Sequence, residues 1–147
     1  MIVYLDTSAF VKLVLDERGS EDARAWFSRT SRAASSVITY PEACSALRRR
    51  ESAQGSAEGS LADWIVELDD RWRRCAHVAV GEKTAGRLAI AHGLRGMDAV
   101  QLAAAMALRE RVRADAPAGE VLFAAFDARL LEAARREGFA TLGGPLA

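Results

Sequence analysis

Residues 2–10 read Ile-Val-Tyr-Leu-Asp-Thr-Ser-Ala-Phe. Four residues suited to a buried strand, Ile2 to Leu5, run straight into a carboxylate at Asp6. Thr7 and Ser8 follow, and then an apolar helical pattern begins. A carboxylate at that joint has two readings. It caps the next helix, where free N–H groups favour it, or it forms one wall of a site at the end of a strand. The remaining joints of the chain decide between them.

Working outward, Thr7 to Leu15 reads as a short helix closed by Asp16-Glu17-Arg18-Gly19. Ser20 caps a second helix over Glu21 to Thr30, with Ala23, Trp26 and Phe27 on one face. Ala33 to Thr39 is the next strand, with Val37 and Ile38 as its core residues. Pro41 fits the first turn of a helix that continues to about Ala53. Gln54 to Gly59 is a Gly/Ser-containing turn, and Ser60-Leu61-Ala62-Asp63 resembles a capping box. Leu61, Trp64, Ile65, Leu68 and Trp72 then make one apolar stripe. That stripe either packs against its neighbours or offers a face to an amphipathic partner.

His77 to Val80 is a brief strand and Glu82 to Ala91 a helix stopped near Gly93 and Gly96. Asp98 opens an alanine-rich helix to about Val112. Val121 to Phe126 is the clearest strand. Asp127 to Glu137 is a helix with Gly138 at its C′ position, and Phe139 to Leu142 closes the pattern. Strands alternating with helices predict a single α/β domain over residues 1–147. Its form is a three-layer α/β/α sandwich around a mainly parallel sheet.

Four acids occupy equivalent joints: Asp6 after the first strand, Glu42 in the first turn after the second, Asp98 at the start of the alanine-rich helix, and Asp127 after the strand Val121 to Phe126. Carboxyl ends of parallel strands share one edge, where α/β sites form. Singly, each acid is most simply a helix-capping residue. Gathered together, they raise one another's pKa, a cost that a divalent cation removes. Oxygen donors suit Mg²⁺ or Mn²⁺, and such ions serve phosphoryl-transfer chemistry without a histidine base. His77 and His92 are the only histidines, and neither has the context of a Ser-His-Asp triad.

At these residues a family resemblance enters. "YLDTSAFVKL", "SSVITYPEACSALRR", "LRGMDAVQLAAAMAL" and "FDARLLEAARREGF" resemble the four acidic motifs of PIN-domain ribonucleases, nearest to the VapC-type toxins of toxin–antitoxin pairs. The resemblance spans Ile2 to Phe139. It implies Mg²⁺- or Mn²⁺-dependent endonucleolytic cleavage of RNA, with Asp6, Glu42, Asp98 and Asp127 as catalytic, metal-holding acids. Ser8 would orient the metal-bound water or a neighbouring carboxylate. It also implies a homodimer and a cognate antitoxin. One departure stands out: Ala124-Ala125 lie where many relatives carry a hydroxyl shortly before the last acid.

That departure keeps open a catalytically inactive PIN-like binding module. Another Mg²⁺-dependent phosphohydrolase is a further alternative. It is disfavoured because Thr7-Ser8, not a second acid, follow Asp6.

The 147 residues are half hydrophobic and 27% charged, with 20 basic and 20 acidic side chains. No global charge argues for a nucleic-acid partner. Discounting the four clustered acids leaves 16 against 20 basic residues. Lys12, Arg48, Arg49 and Arg95 are candidate contacts for RNA phosphates, and Tyr40 is a candidate for base stacking. Cys44 and Cys75 are distant in sequence, in helix-like contexts, and expected reduced. With no signal-peptide pattern and no stretch long enough to span a bilayer, the expected location is the cytoplasm, away from membranes.

Overall fold

The structure is a computed structural model that describes residues 1–54 and 59–145. The chain runs β1 (Ile2–Leu5), α1 (Thr7–Val11), α2 (Ser20–Arg29), β2 (Arg32–Ser36), α3 (Thr39–Gln54), α4 (Leu61–Arg73), β3 (Cys75–Val78), α5 (Glu82–His92), α6 (Gly96–Asp115), β4 (Val121–Ala124), α7 (Ala128–Arg136) and β5 (Ala140–Leu142). The strands form one sheet in the order β3-β2-β1-β4-β5, with every pair parallel. Successive strands step from β1 out to β3, then restart at β4 on the other side of β1. The reversal lies between β1 and β4, where a crevice opens at the carboxyl ends of the strands.

Side-chain alternation along β1 assigns the two faces. Val3 and Leu5 pack with Phe10, Leu13, Leu47 and Leu68, the core beneath α1 to α4. Tyr4 packs with Leu102, Phe123 and Leu131, the core beneath α5 to α7. The architecture is thus the expected three-layer α/β/α sandwich. The apolar stripe of α4 belongs to the first core: Leu68 is fully buried, and Leu61, Trp64, Ile65 and Trp72 are half-buried against it.

Several boundaries differ from those the sequence suggests. The second strand is Arg32–Ser36, and Val37, expected in the core, is 43% exposed. Its inward positions are Ala33, Ala34, Ser35 and Ser36, all buried. Small side chains there let α6 approach the sheet, and α6 is itself alanine-faced, with Ala99, Ala103, Ala104 and Ala105 buried. The third strand begins at Cys75, directly after α4, and not at His77; Cys75 is therefore a strand residue. Register with Ala33 to Ser36 sets that start. As an edge strand, β3 leaves Ala76 and His77 exposed, which blurs its hydrophobic signal. Helix α1 ends at Val11, although Leu13, Val14 and Leu15 stay buried in the turn that follows. Most of the expected turn over Gln54 to Gly59 falls outside the described residues.

Gly138 terminates α7 as expected. Its φ is +82°, its N–H donates to the Arg135 carbonyl, and Phe139 N–H donates to that of Ala134. These are the paired bonds of a Schellman end, and they aim Phe139 into the second core.

Candidate active site

Asp6 leaves β1 with extended backbone and caps α1: its Oδ1 accepts from Ala9 N–H at 2.9 Å. Its own N–H donates to the Ala124 carbonyl, which ties the end of β1 to β4. The Ser8 hydroxyl lies 2.7 and 3.0 Å from the two carboxylate oxygens and accepts from Phe126 N–H at 3.1 Å. Ser8 therefore couples Asp6 to the loop that presents Asp127. Asp6 is only 5% exposed. Burial pushes its carboxyl up to about 7, against the hydrogen bonds from Ala9 and Ser8, and the charge of Asp98 adds to the rise.

Glu42 sits in the first turn of α3. Its Oε1 accepts from the Thr7 hydroxyl at 2.6 Å and faces Gln101 Nε2 at 3.3 Å. Asp98 lies in the first turn of α6, with Arg95 Nε donating to it at 3.3 Å. Burial raises its carboxyl, Arg95 opposes this, and the charges of Asp127 and Glu42 add to the rise. Asp127 caps α7, accepting from Leu130 N–H at 2.9 Å. For Asp6 and Asp127, then, capping and placement at the site coexist. All four acids line one cavity of about 430 Å³, together with Thr7, Ser8, Lys12, Glu17, Arg49, Arg95 and Gln101.

A model of the PIN domain matches residues 3–136. The chain belongs to the PIN-domain family. Two proteins of Mycobacterium tuberculosis, named Ribonuclease VapC45 (strain CDC 1551 / Oshkosh) and Ribonuclease VapC49 (strain ATCC 25618 / H37Rv), are each 43% identical to it over 110 residues. Those alignments cover 73% of this chain and 76% of each relative, and they place the domain in the VapC-type group. In fold it is similar to PAE2754 from Pyrobaculum aerophilum, with a TM-score of 0.65 at 17% identity, covering 96% of this chain and 83% of that one.

Within this PIN domain the candidate RNA contacts divide. Arg49 and Arg95 line the acidic cavity. Lys12 also lines it, but its ammonium is buried, bonded to Glu17 at 2.6 Å and held 5.0 Å above the Phe126 ring. Arg48 turns instead to Glu51, at 2.6 Å. Tyr40 donates its hydroxyl to Asp69 and tilts against Trp72 with ring centroids 5.5 Å apart. Neither Arg48 nor Tyr40 is part of the cavity wall.

Three residues that carry no motif also reach the site: Gln101 and Glu17 line the cavity, and Thr39 bonds Gln101. Gln101 is 2% exposed and bonds Tyr4, Thr7 and Thr39. It was visible in principle as a polar interruption of an alanine-rich helix, one turn beyond Asp98 and so on the same face.

The donor set of the cavity is hard oxygen, which suits Mg²⁺ or Mn²⁺. The near-complete burial of Asp6 is a charge cost that a cation offsets. Among the described residues, however, no three acidic, histidine or cysteine side chains already converge as a metal-binding group. The donor chemistry fits a divalent ion, and the side chains must draw inward to hold one.

Proposed function

We propose that this PIN domain is a divalent-metal-dependent endoribonuclease and the toxin of a toxin–antitoxin pair. One observation carries the reading: four carboxylates, delivered by four separate elements, line a single cavity at the carboxyl edge of a parallel sheet. The names of the two mycobacterial relatives support RNA as the substrate.

Asp6 and Asp98, the two acids whose pKa values are raised, are the proposed principal holders of Mg²⁺ or Mn²⁺, with Glu42 and Asp127 completing the set. When bound, the ion supplies an acidified water and a counter-charge for the phosphodiester. The chain's own residues orient the site. Ser8 holds the Asp6 carboxylate, Thr7 holds that of Glu42, and Arg49 and Arg95 offer guanidinium groups to substrate phosphates at the cavity wall. Lys12, tied to Glu17, adds positive potential more than a mobile contact.

Among the described residues no helix is long and apolar enough to cross a membrane. The proposed setting is the cytoplasm, as a homodimer restrained by a cognate antitoxin. The direct test is cleavage of a labelled RNA. Wild-type protein cuts in Mg²⁺ or Mn²⁺ and stops in EDTA, while Asp6→Asn and Asp98→Asn lose cutting and growth inhibition yet keep the far-UV circular dichroism of the wild type. Full activity in EDTA overturns the reading.

A further inference from the structure

Behind the acids lies a closed polar cluster built around one amide. Gln101 Oε1 accepts from the Tyr4 hydroxyl at 2.7 Å. Its Nε2 faces Thr7 Oγ1 and Thr39 Oγ1, each at 2.9 Å, and Glu42 Oε1 at 3.3 Å. The Thr39 and Ser35 hydroxyls are 2.7 Å apart, and Ser35 donates to the Leu5 carbonyl at 2.6 Å. Tyr4, Ser35 and Thr39 are fully buried.

The direction of the amide follows from its neighbours. The Tyr4 phenol, buried against the sheet with Gln101 Oε1 at 2.7 Å, is the donor of that pair. The acceptor end of the amide must therefore meet Tyr4. The NH₂ end then faces the two threonines and the carboxylate. A flipped amide would set two oxygens, Oε1 of Gln101 and Oε1 of Glu42, against each other. With its lone pairs engaged by Gln101, the Thr7 hydroxyl has its proton free for Glu42, and the 2.6 Å contact is a charge-assisted bond.

We propose that Gln101 is a positioning residue of the active site: its buried amide, fixed by Tyr4, orients the Thr7 hydroxyl and through it the Glu42 carboxylate. This deepens the metal-dependent reading above and rests on it. Gln101 acts through Thr7 and Glu42, at the inner wall of the cavity that it helps to line. It joins β1, α3 and α6, the elements that carry Tyr4, Glu42 and Gln101 itself, at one point behind the cavity.

The test reads Mn²⁺ affinity by calorimetry and the steady-state constants for a short RNA, beside melting curves in EDTA. Gln101→Met keeps the volume and removes both ends of the amide. Thr7→Val removes the hydroxyl it orients. Each is expected to weaken Mn²⁺ binding about tenfold, as loss of a group that orients a metal ligand commonly does. Each also lowers kcat with little change in the KM for RNA. The double variant should lose no more than the worse single variant, because both cut the same relay. Thr7→Ser, which keeps the oxygen, recovers most of the affinity.

Should Gln101→Met fail to fold, Tyr4→Phe serves in its place. It removes only the phenolic oxygen, frees the amide from its anchor, and loses affinity in the same direction. Variants that melt earlier yet bind Mn²⁺ and turn over like wild type overturn the positioning role, as do losses that simply add. Wild-type protein that neither binds Mn²⁺ nor cuts RNA overturns the proposed function itself, a result recognisable before any variant is made.

Discussion

A carboxylate that is 5% exposed and near three other acids is held against its preference for water. Asp6 meets that cost with hydrogen bonds from Ala9 and Ser8, yet its pKa still rises from 3.8 to about 7. Such a group binds its proton more tightly in the folded chain than in the unfolded one. Its contribution to stability is full below its unfolded value and is lost as pH climbs through 7. In EDTA, where no cation intervenes, the wild type should therefore lose stability relative to Asp6→Asn between pH 4 and pH 8. The expected difference is about 4 kcal/mol. Urea titrations of both proteins across that range check it, and parallel curves for the two would refute it. Asn keeps the oxygen that caps α1, so the comparison isolates the charge.

At the scale of elements, close approach of α6 to the sheet sets the depth of the site. Ala104 is fully buried in the same cluster as Tyr4, Ala34 and Phe123. Ala104→Leu should overpack that contact and cost about 1–3 kcal/mol. Because α6 also carries Asp98 and Gln101, a shift of its axis should weaken Mn²⁺ binding as well. Chemical denaturation and calorimetry on one variant measure both effects, and an unchanged metal affinity would mean that α6 tolerates displacement without moving the acids. The same helix explains why parts of the fold were hard to read in advance. The strand facing it is Arg-Ala-Ala-Ser-Ser, which has little strand propensity of its own. Pairing with β1 and β3 makes it a strand, so Val37 and Ile38 looked like better core residues than they are. By contrast β1, β4 and the joints bearing Asp6 and Asp127 were legible, because apolar runs ending in a capping acid carry a local signal. Gln101 bonds partners 62, 94 and 97 residues away. Its place one turn beyond Asp98 in an alanine-rich helix is a local mark of polarity, but contacts that distant define its role.

Across the whole molecule, the four acids come from both sides of the sheet. Helices α1 and α3 belong to one core, α6 and α7 to the other, and Asp6 stands at the central strand between them. A cation held by acids from both layers adds a link between two cores that already meet through the sheet and through the bonds of Gln101 to Thr7 and Thr39. Binding confined to the folded state stabilises it by mass action, about 2.7 kcal/mol at a hundredfold excess of ion over its dissociation constant. Titrating Mn²⁺ into the wild type at pH 8 should raise the melting temperature in step with the logarithm of free metal. It should also keep a single cooperative transition for probes in either core, such as fluorescence of the three tryptophans packed on one side and hydrogen exchange of α6 on the other. Asp6→Asn and Asp98→Asn should flatten that dependence while melting in EDTA at or above the wild-type temperature at this pH, since each removes a raised carboxyl. If saturating Mn²⁺ leaves the wild-type transition where EDTA puts it, the acids do not share an ion across the sheet, and their gathering at one edge requires a different counter-charge.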